Sequence, residues 1–529
     1  GRNNARLQIS NGRSNVGERE MRQSYKIKKV DTGIITNMPS TDVTWCTGRN
    51  VAFKPGSVYK ILGKTILTTI ANKAIRAKFT FKAYDNVWRT IVCSDSNIYS
   101  YTNNFTSLLD ITPASPPMST SVDTWCFALI GGMPIISNGV NPLWQWSDFT
   151  NAMTPLGGAP IICKSICAIG NRLFVGNIQE GAYSFPARGR WTDIINVTKW
   201  DKNLKLDSGQ KDFVSPNTSL DGIDSVQAST NMGSTLVVFC ERNIWYGSPA
   251  AHPMIFTFMP LERNIGLLAK KAFVKTPDGL FFMGQEDFYV MNENSPEAIG
   301  FNIRNSCFPN LNKGYISTAF AYYKPSTREV VFCVPTGSNL TPDTAFVFQT
   351  ETKSWSIWDV DYLCHSMYFD GSNTVWDDLP YGSWDSITDT RWDNMGSTGI
   401  IPSEAVGDSN GNIFKQDSGY NNNGKPIDAY IETGDIAFMP TMNKIIYDIF
   451  VVLKPQASIS DLMIQVGVRA SLHGDIMWSQ PMPFAIGVSE FVTARKMGKI
   501  ERIRFSSSIL NSPWILNSWE MDYDLSGSR

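Results

Sequence analysis

Few residues in this sequence are placed to do chemistry. The three histidines, His252, His365 and His473, lie far apart, and none has a partner at the HxxxH or HExxH spacing that puts two ligands on one helix face. Cys163 and Cys167 stand four apart, without a second pair to complete a zinc site, and no phosphate-cradling glycine loop or GxSxG elbow is present. In "GDSNGNIF", Asp408, Asn410 and Asn412 alternate as in a calcium loop. Ile413 replaces the required glycine and no Glu closes the loop, so a tight hairpin turn is the better reading. "CSDSNIYSY" and "TPDTAFVFQTETKSW" approach the Asp-box of sialidase-type propellers without completing it. Trp144, Trp146, Trp355 and Trp358 could stack sugars, but packing at strand edges explains them with fewer assumptions. No catalytic, cofactor-binding or metal-binding residue is therefore expected, and the chain does not read as an enzyme.

The elements that would position such residues are strands. The chain has 529 residues, 42% hydrophobic and 18% charged, with a net charge of −1. That composition supports a large core and excludes a general affinity for nucleic acid or anionic lipid, which needs a basic field. No run approaches the roughly 20 apolar residues of a membrane helix, and the polar, Arg-rich opening does not read as a secretory leader. Nine cysteines, mostly in apolar strand-like contexts, read as reduced and structural, which fits assembly in a cytosol.

A hairpin recurs: a short apolar strand, a polar turn, then a strand rich in aromatics. It begins at Trp88, Cys126, Arg172, Thr235, Gly279, Arg328 and Glu404, mostly about 40 to 65 residues apart, the period of a four-stranded blade. Inner blade strands, buried on both faces, should read as "LVVF" or "VVFC". The reading is all-β. It places an irregular β-propeller of six or seven blades over 36–425, after an extended basic N-terminal arm, 1–35. Strict alternation in "KIIYDIFVVLKP" and "IERIRFSSS" marks a C-terminal antiparallel β-sandwich-like domain over 426–529, after the linker "GYNNNGK".

Two features lie outside this frame. Arg2, Arg6, Arg13, Arg19 and Arg22 make the arm basic, and with Leu7, Ile9, Val16 and Ile27 between them it reads as docking onto a neighbouring subunit; contact with DNA or an acidic partner is the other reading. Trp376, Trp384 and Trp392 each precede an Asp, at a spacing of eight. A WD40 repeat places one such pair per blade of about 40 residues, so these three cannot mark blades. They read as three anchors of a strap docked onto the propeller or a neighbouring subunit.

The stretch "TLVVFCERNIWYGSPAAHPMIFTFMPLERNIGLLAKKAFVKTPDGLFFMGQEDFYVMN", Thr235 to Asn292, resembles the tail-hub proteins of short-tailed bacteriophages, also called nozzle or packaged-DNA stabilisation proteins. "GKIERIRFSSSILNSPWILNSWEMDYDLSGSR" is similar to the closing sheet of that family. The resemblance is one of pattern and order, and the Arg-rich opening has no counterpart in it. It implies a structural virion protein, assembled in the host cytoplasm and located in the tail. It further implies a homo-oligomeric ring, commonly a hexamer, below the portal adaptor ring, that retains packaged double-stranded DNA and conducts it without sequence preference during ejection. Tail fibres and a tail plug or needle are further partners in such assemblies, and no cofactor or membrane insertion is implied. The alternative from the residues alone is a propeller-type glycan-binding or glycan-degrading virion enzyme, which needs carboxylates gathered around a pocket.

Overall fold

A computed structural model of the chain describes residues 22–526, apart from 28, 103–104, 106, 115–123, 159–160, 201–207, 214–223, 253, 293–294, 370–401, 439, 455–460 and 472–473. Among the described residues the chain forms strands almost throughout. Six four-stranded antiparallel meanders follow one another over 77–110, 126–155, 161–212, 226–263, 273–298 and 320–359. A seventh combines Cys364–Phe369, Pro402–Gly407 and Asn412–Gln416 with Lys64–Thr69, a strand from much earlier in the chain. The first strands of all seven sheets line one cavity, so the sheets stand around a common axis and the last is closed by the beginning of the chain. The fold is a β-propeller.

Closure depends on close backbone approach. Gly411, in the turn before Asn412–Gln416, has φ +89°, and its carbonyl accepts the Ile70 N–H at 2.8 Å. A Cβ there would lie 2.0 Å from the Ile70 carbonyl oxygen, so only glycine fits. Asp408 shapes the same turn, its Oδ1 accepting the Asn410 and Asn412 amides at 2.8 Å each.

The strands buried on both faces are not the innermost ones. Thr235–Cys240 ("TLVVFC") and Glu329–Val334 ("EVVFCV") are second strands, with sheets packed on either side. First strands such as Val226–Met232 and Cys126–Ile130 are only partly buried and mix polar with apolar residues. The reason is geometric: an innermost strand has neighbouring sheets on its flanks but a cavity along its edge.

The remaining strands form two six-stranded sheets that draw on both ends of the chain. The first runs Val51–Lys54, Ser57–Lys60, Ile515–Ser526, Asn443–Leu453, Phe491–Gly498, with Gln23–Lys26 also paired to Ile515–Ser526. The second runs Trp45–Arg49, Ala429–Thr433, Ile500–Ser507, Asp461–Arg469, Met477–Trp478, with Met482–Ala485 also on Asp461–Arg469. The boundary drawn at residue 36 therefore falls differently: residues 45–60 belong to these sheets, and the propeller takes up the chain at Lys64. Local alternation marks a strand but not its partner, and Trp45 pairs with Thr433 across almost the whole sequence.

One buried cluster joins the two parts. It holds Phe239, Phe282 and Phe332 of the propeller together with Trp45, Phe505 and Trp519 of the composite sheets. Trp358 donates its indole N–H to the Val51 carbonyl at 2.8 Å, and the Ile34 amide donates to the Trp355 carbonyl at 2.8 Å. Phe505 and Trp519 meet between the two composite sheets with ring centres 6.3 Å apart.

Candidate functional site

The propeller's central cavity has a volume of ≈840 Å³. Its charged lining is cationic: Lys78 from the first sheet and Lys270, Lys271 and Lys275 from the start of the fifth, with no Asp or Glu among the described lining residues. Lys78 is 6% exposed and its Nζ has no hydrogen-bond partner among the described residues. Burial pushes its ammonium down to about 8, and burial lowers Lys271 as well. Lys275 donates to the Asn231 side-chain oxygen at 3.3 Å. The positive charges of Lys78 and Lys271 both act on the Cys364 thiol, and all three residues line the cavity. Burial nevertheless holds the Cys93 and Cys364 thiols above their ordinary range, in the protonated and unreactive form. A smaller cavity of ≈280 Å³ sits where the first strands begin and shares Trp125, Lys271 and Leu363 with the larger one. Its one carboxylate, Asp95, is held by Arg76 through two bonds of 2.8 and 3.0 Å.

Beside the cavity, between the sixth and seventh sheets, lies a buried ionisable network. Lys324 is 2.8 Å from Asp417 and 3.6 Å from Glu329. The His365 imidazole stacks on Tyr322 with centres 3.9 Å apart, and its Nε2 stands 3.6 Å from Glu404 Oε2. Burial pushes the Glu404 carboxyl from its ordinary 4.5 up to about 7. Burial, with the charges of Lys78 and Lys324, holds His365 well below its ordinary range and therefore neutral.

The two groups have opposite linkage. The folded state keeps the Glu404 proton up to about pH 7 while the unfolded chain releases it near 4.5, so this contribution to stability falls as pH rises between those values. His365 destabilises the fold below its ordinary pKa, where only the unfolded chain takes up the proton. Replacing Glu404 with Gln removes the first slope alone. The variant should match the parent near pH 4 and exceed it above pH 7 by up to about 3 kcal/mol, as read from urea melts across that range. A difference independent of pH would remove this account of Glu404.

Of the residues singled out in the sequence, Arg22 lies among the described ones. Its guanidinium is 3.0 Å from Asp448 and 4.1 Å from the centre of the Tyr447 ring. Arg2, Arg6, Arg13 and Arg19 lie outside the described residues, as do Trp376, Trp384 and Trp392. Trp144, Trp146, Trp355 and Trp358 are buried, so none presents a sugar-stacking face. No disulfide joins any of the nine cysteines, and no group of three or more metal-ligating side chains occurs among the described residues. The lysine-lined cavity has a faint sequence signal: single lysines inside short apolar strands, as in "AKFTF" and "KKAFVK". Nothing local distinguishes such a lysine from one facing solvent.

No family model and no curated protein matches the chain. Among solved structures it is similar to the Neurospora crassa Pan2 WD40 domain, at 7% identity over 66% of this chain and 94% of that one, with a TM-score of 0.37. It is also similar to the AfRom2 CNH domain, at 9% identity over 67% and 98%, with a TM-score of 0.34. YCF48 from Cyanidioschyzon merolae gives 10% identity over 67% and 98%, with a TM-score of 0.38. At such identities the likeness concerns fold alone.

Proposed function

We propose that this chain is a structural subunit of a short-tailed phage tail, assembling into the hub or nozzle ring that retains packaged DNA and conducts it during ejection. The reading rests on the family-like order of strands and loops in 235–292, which fold into the last three strands of the fourth sheet and the first three of the fifth. What supports assembly is an uncovered apolar face on the first composite sheet. Phe450 and Phe491 are directly paired across neighbouring strands, with ring centres 5.5 Å apart. They are 36% and 48% exposed, and Val452, on the same strand as Phe450, is 54% exposed. Contiguous exposed apolar surface of this kind marks a protein–protein contact.

The cavity at a propeller's centre is lined by strands of that one subunit, and a hub ring encloses a separate space between its copies. The conduit belongs to the space enclosed between copies, and the ring, six copies by the family resemblance, is the functional unit.

The test is to replace Phe450 and Val452 together with Asp. Sedimentation velocity should show a closed oligomer for the parent and monomer for the variant, which should still melt cooperatively, since both side chains are partly exposed in the monomer. Cryo-microscopy of particles should place the parent chain below the portal. A parent that is strictly monomeric and absent from virions would end the proposal.

A further inference from the structure

We propose that the central cavity binds a small amphipathic anion, a carboxylate or phosphate head carried on an aliphatic or aromatic body. The inference is independent of the tail-ring reading, because it concerns the interior of a single subunit.

Three observations converge on it. The cavity, ≈840 Å³, falls within the roughly 300–1,000 Å³ typical of small-molecule sites. Its charge is one-sided: four lysines line it and no described lining residue is acidic, while Asp95 in the adjoining cavity is already neutralised by Arg76. Most directly, Lys78 is more than nine-tenths buried, and among the described residues neither its ammonium nor the buried indole N–H of Trp125 has a hydrogen-bond partner. A buried cation without a counter-charge costs free energy, and a bound oxyanion recovers it through charge-assisted hydrogen bonds.

The geometry assigns the head group to the lysine-bearing lining of this cavity. Lys78 and Lys271 come from the first and fifth sheets, three steps apart round the seven-sheet ring, and both line it. Phe79, Phe127, Phe273 and Phe320 supply apolar surface in the same cavity. Phe79 and Phe127 are stacked with ring centres 4.9 Å apart. An inorganic ion would leave that surface bare, and a neutral apolar molecule would leave Lys78 unpaired. An amphipathic anion satisfies both.

The experiment loads the full chain with 1-anilinonaphthalene-8-sulfonate, which is itself an aromatic body with an anionic head, and displaces it with decanoate, decyl phosphate and decan-1-ol. Both anions should displace the dye, and the alcohol should be weaker by about tenfold or more, the worth of one charge-assisted hydrogen bond. The tighter of the two anions identifies the head group. Lys78→Met should weaken the anions by about tenfold, bring them level with the alcohol, and leave the unliganded melting temperature equal or higher, because a buried unpaired cation has been removed. Lys271→Met is the second variant, and the comparison of decanoate with decanol on the parent protein needs no variant at all. Equal displacement by alcohol and anion, or unchanged anion affinity in folded Lys78→Met, would overturn the assignment.

Discussion

Deleting residues 1–69 is expected to leave no cooperatively folded protein, although the propeller loses only one strand by it. That strand, Lys64–Thr69, is the outer edge of the seventh sheet, pairing with Asn412–Gln416. The same deletion takes four strands from the composite sheets: Gln23–Lys26, Trp45–Arg49, Val51–Lys54 and Ser57–Lys60. With them go Trp45, Val51, Phe53 and Val58, all essentially fully buried in the cluster that joins propeller to composite sheets. Burying four such side chains contributes roughly 6–12 kcal/mol, against a typical total stability of about 5–15 kcal/mol. The deletion also exposes new strand edges, which invite aggregation. The expected result is insoluble expression or loss of the cooperative transition in calorimetry. Supplying residues 1–72 as a separate chain during refolding should restore both. A soluble deletion variant that still melts cooperatively would refute the closure argument.

The second large effect concerns a buried ion pair between the two composite sheets. Lys444 and Glu501 are both completely buried, with Nζ 3.3 Å from Oε2. The ammonium also donates to the carbonyl of Phe438 at 3.1 Å and to that of Lys499, whereas Lys444 is the one charged partner of Glu501 among the described residues. Burial pushes the Glu501 carboxyl up to about 7 against the pull of Lys444. Glu501→Ala leaves the ammonium without its counter-charge and should cost about 3–5 kcal/mol. Lys444→Met strands the carboxyl instead. That carboxyl can take a proton, so the loss should be smaller at pH 5 than at pH 8, the folded state holding the proton through that window. The double variant Lys444→Met with Glu501→Leu should recover most of the loss, because well-packed apolar groups replace buried ion pairs at little cost. Urea denaturation of the three variants at both pH values measures this. Additive losses in the double variant would show that the two residues act separately.

Much of the architecture was legible before any coordinates. The hairpins read at Trp88, Cys126, Arg172, Thr235, Gly279, Arg328 and Glu404 fall one in each of the seven four-stranded sheets, in six of them on the second and third strands. Those are the strands with packed neighbours on both sides, so burial forces them to be apolar and their turns polar. The first and fourth strands face cavity or solvent and carry a weaker signal. The stretches "LVVF" and "VVFC" are indeed strands buried on both faces, and they are the second strands of their sheets.

Alternation in "KIIYDIFVVL" correctly marked a strand with one buried face, even though a bulge after Ile446 shifts its register. It could not mark which side of Phe450 would be left uncovered. The sequence by itself determined strand content, the recurring hairpin and the all-β class, because each follows from the two faces of a single strand. The tertiary structure alone decided that residues 45–60 leave the propeller for the far end of the chain, and that Lys64–Thr69 closes the ring. It also decided that Lys78 and Lys271 line one cavity and that Lys444 finds Glu501. Each of these is a pairing across a long stretch of chain, set by closure and packing, and no local pattern of residues encodes it.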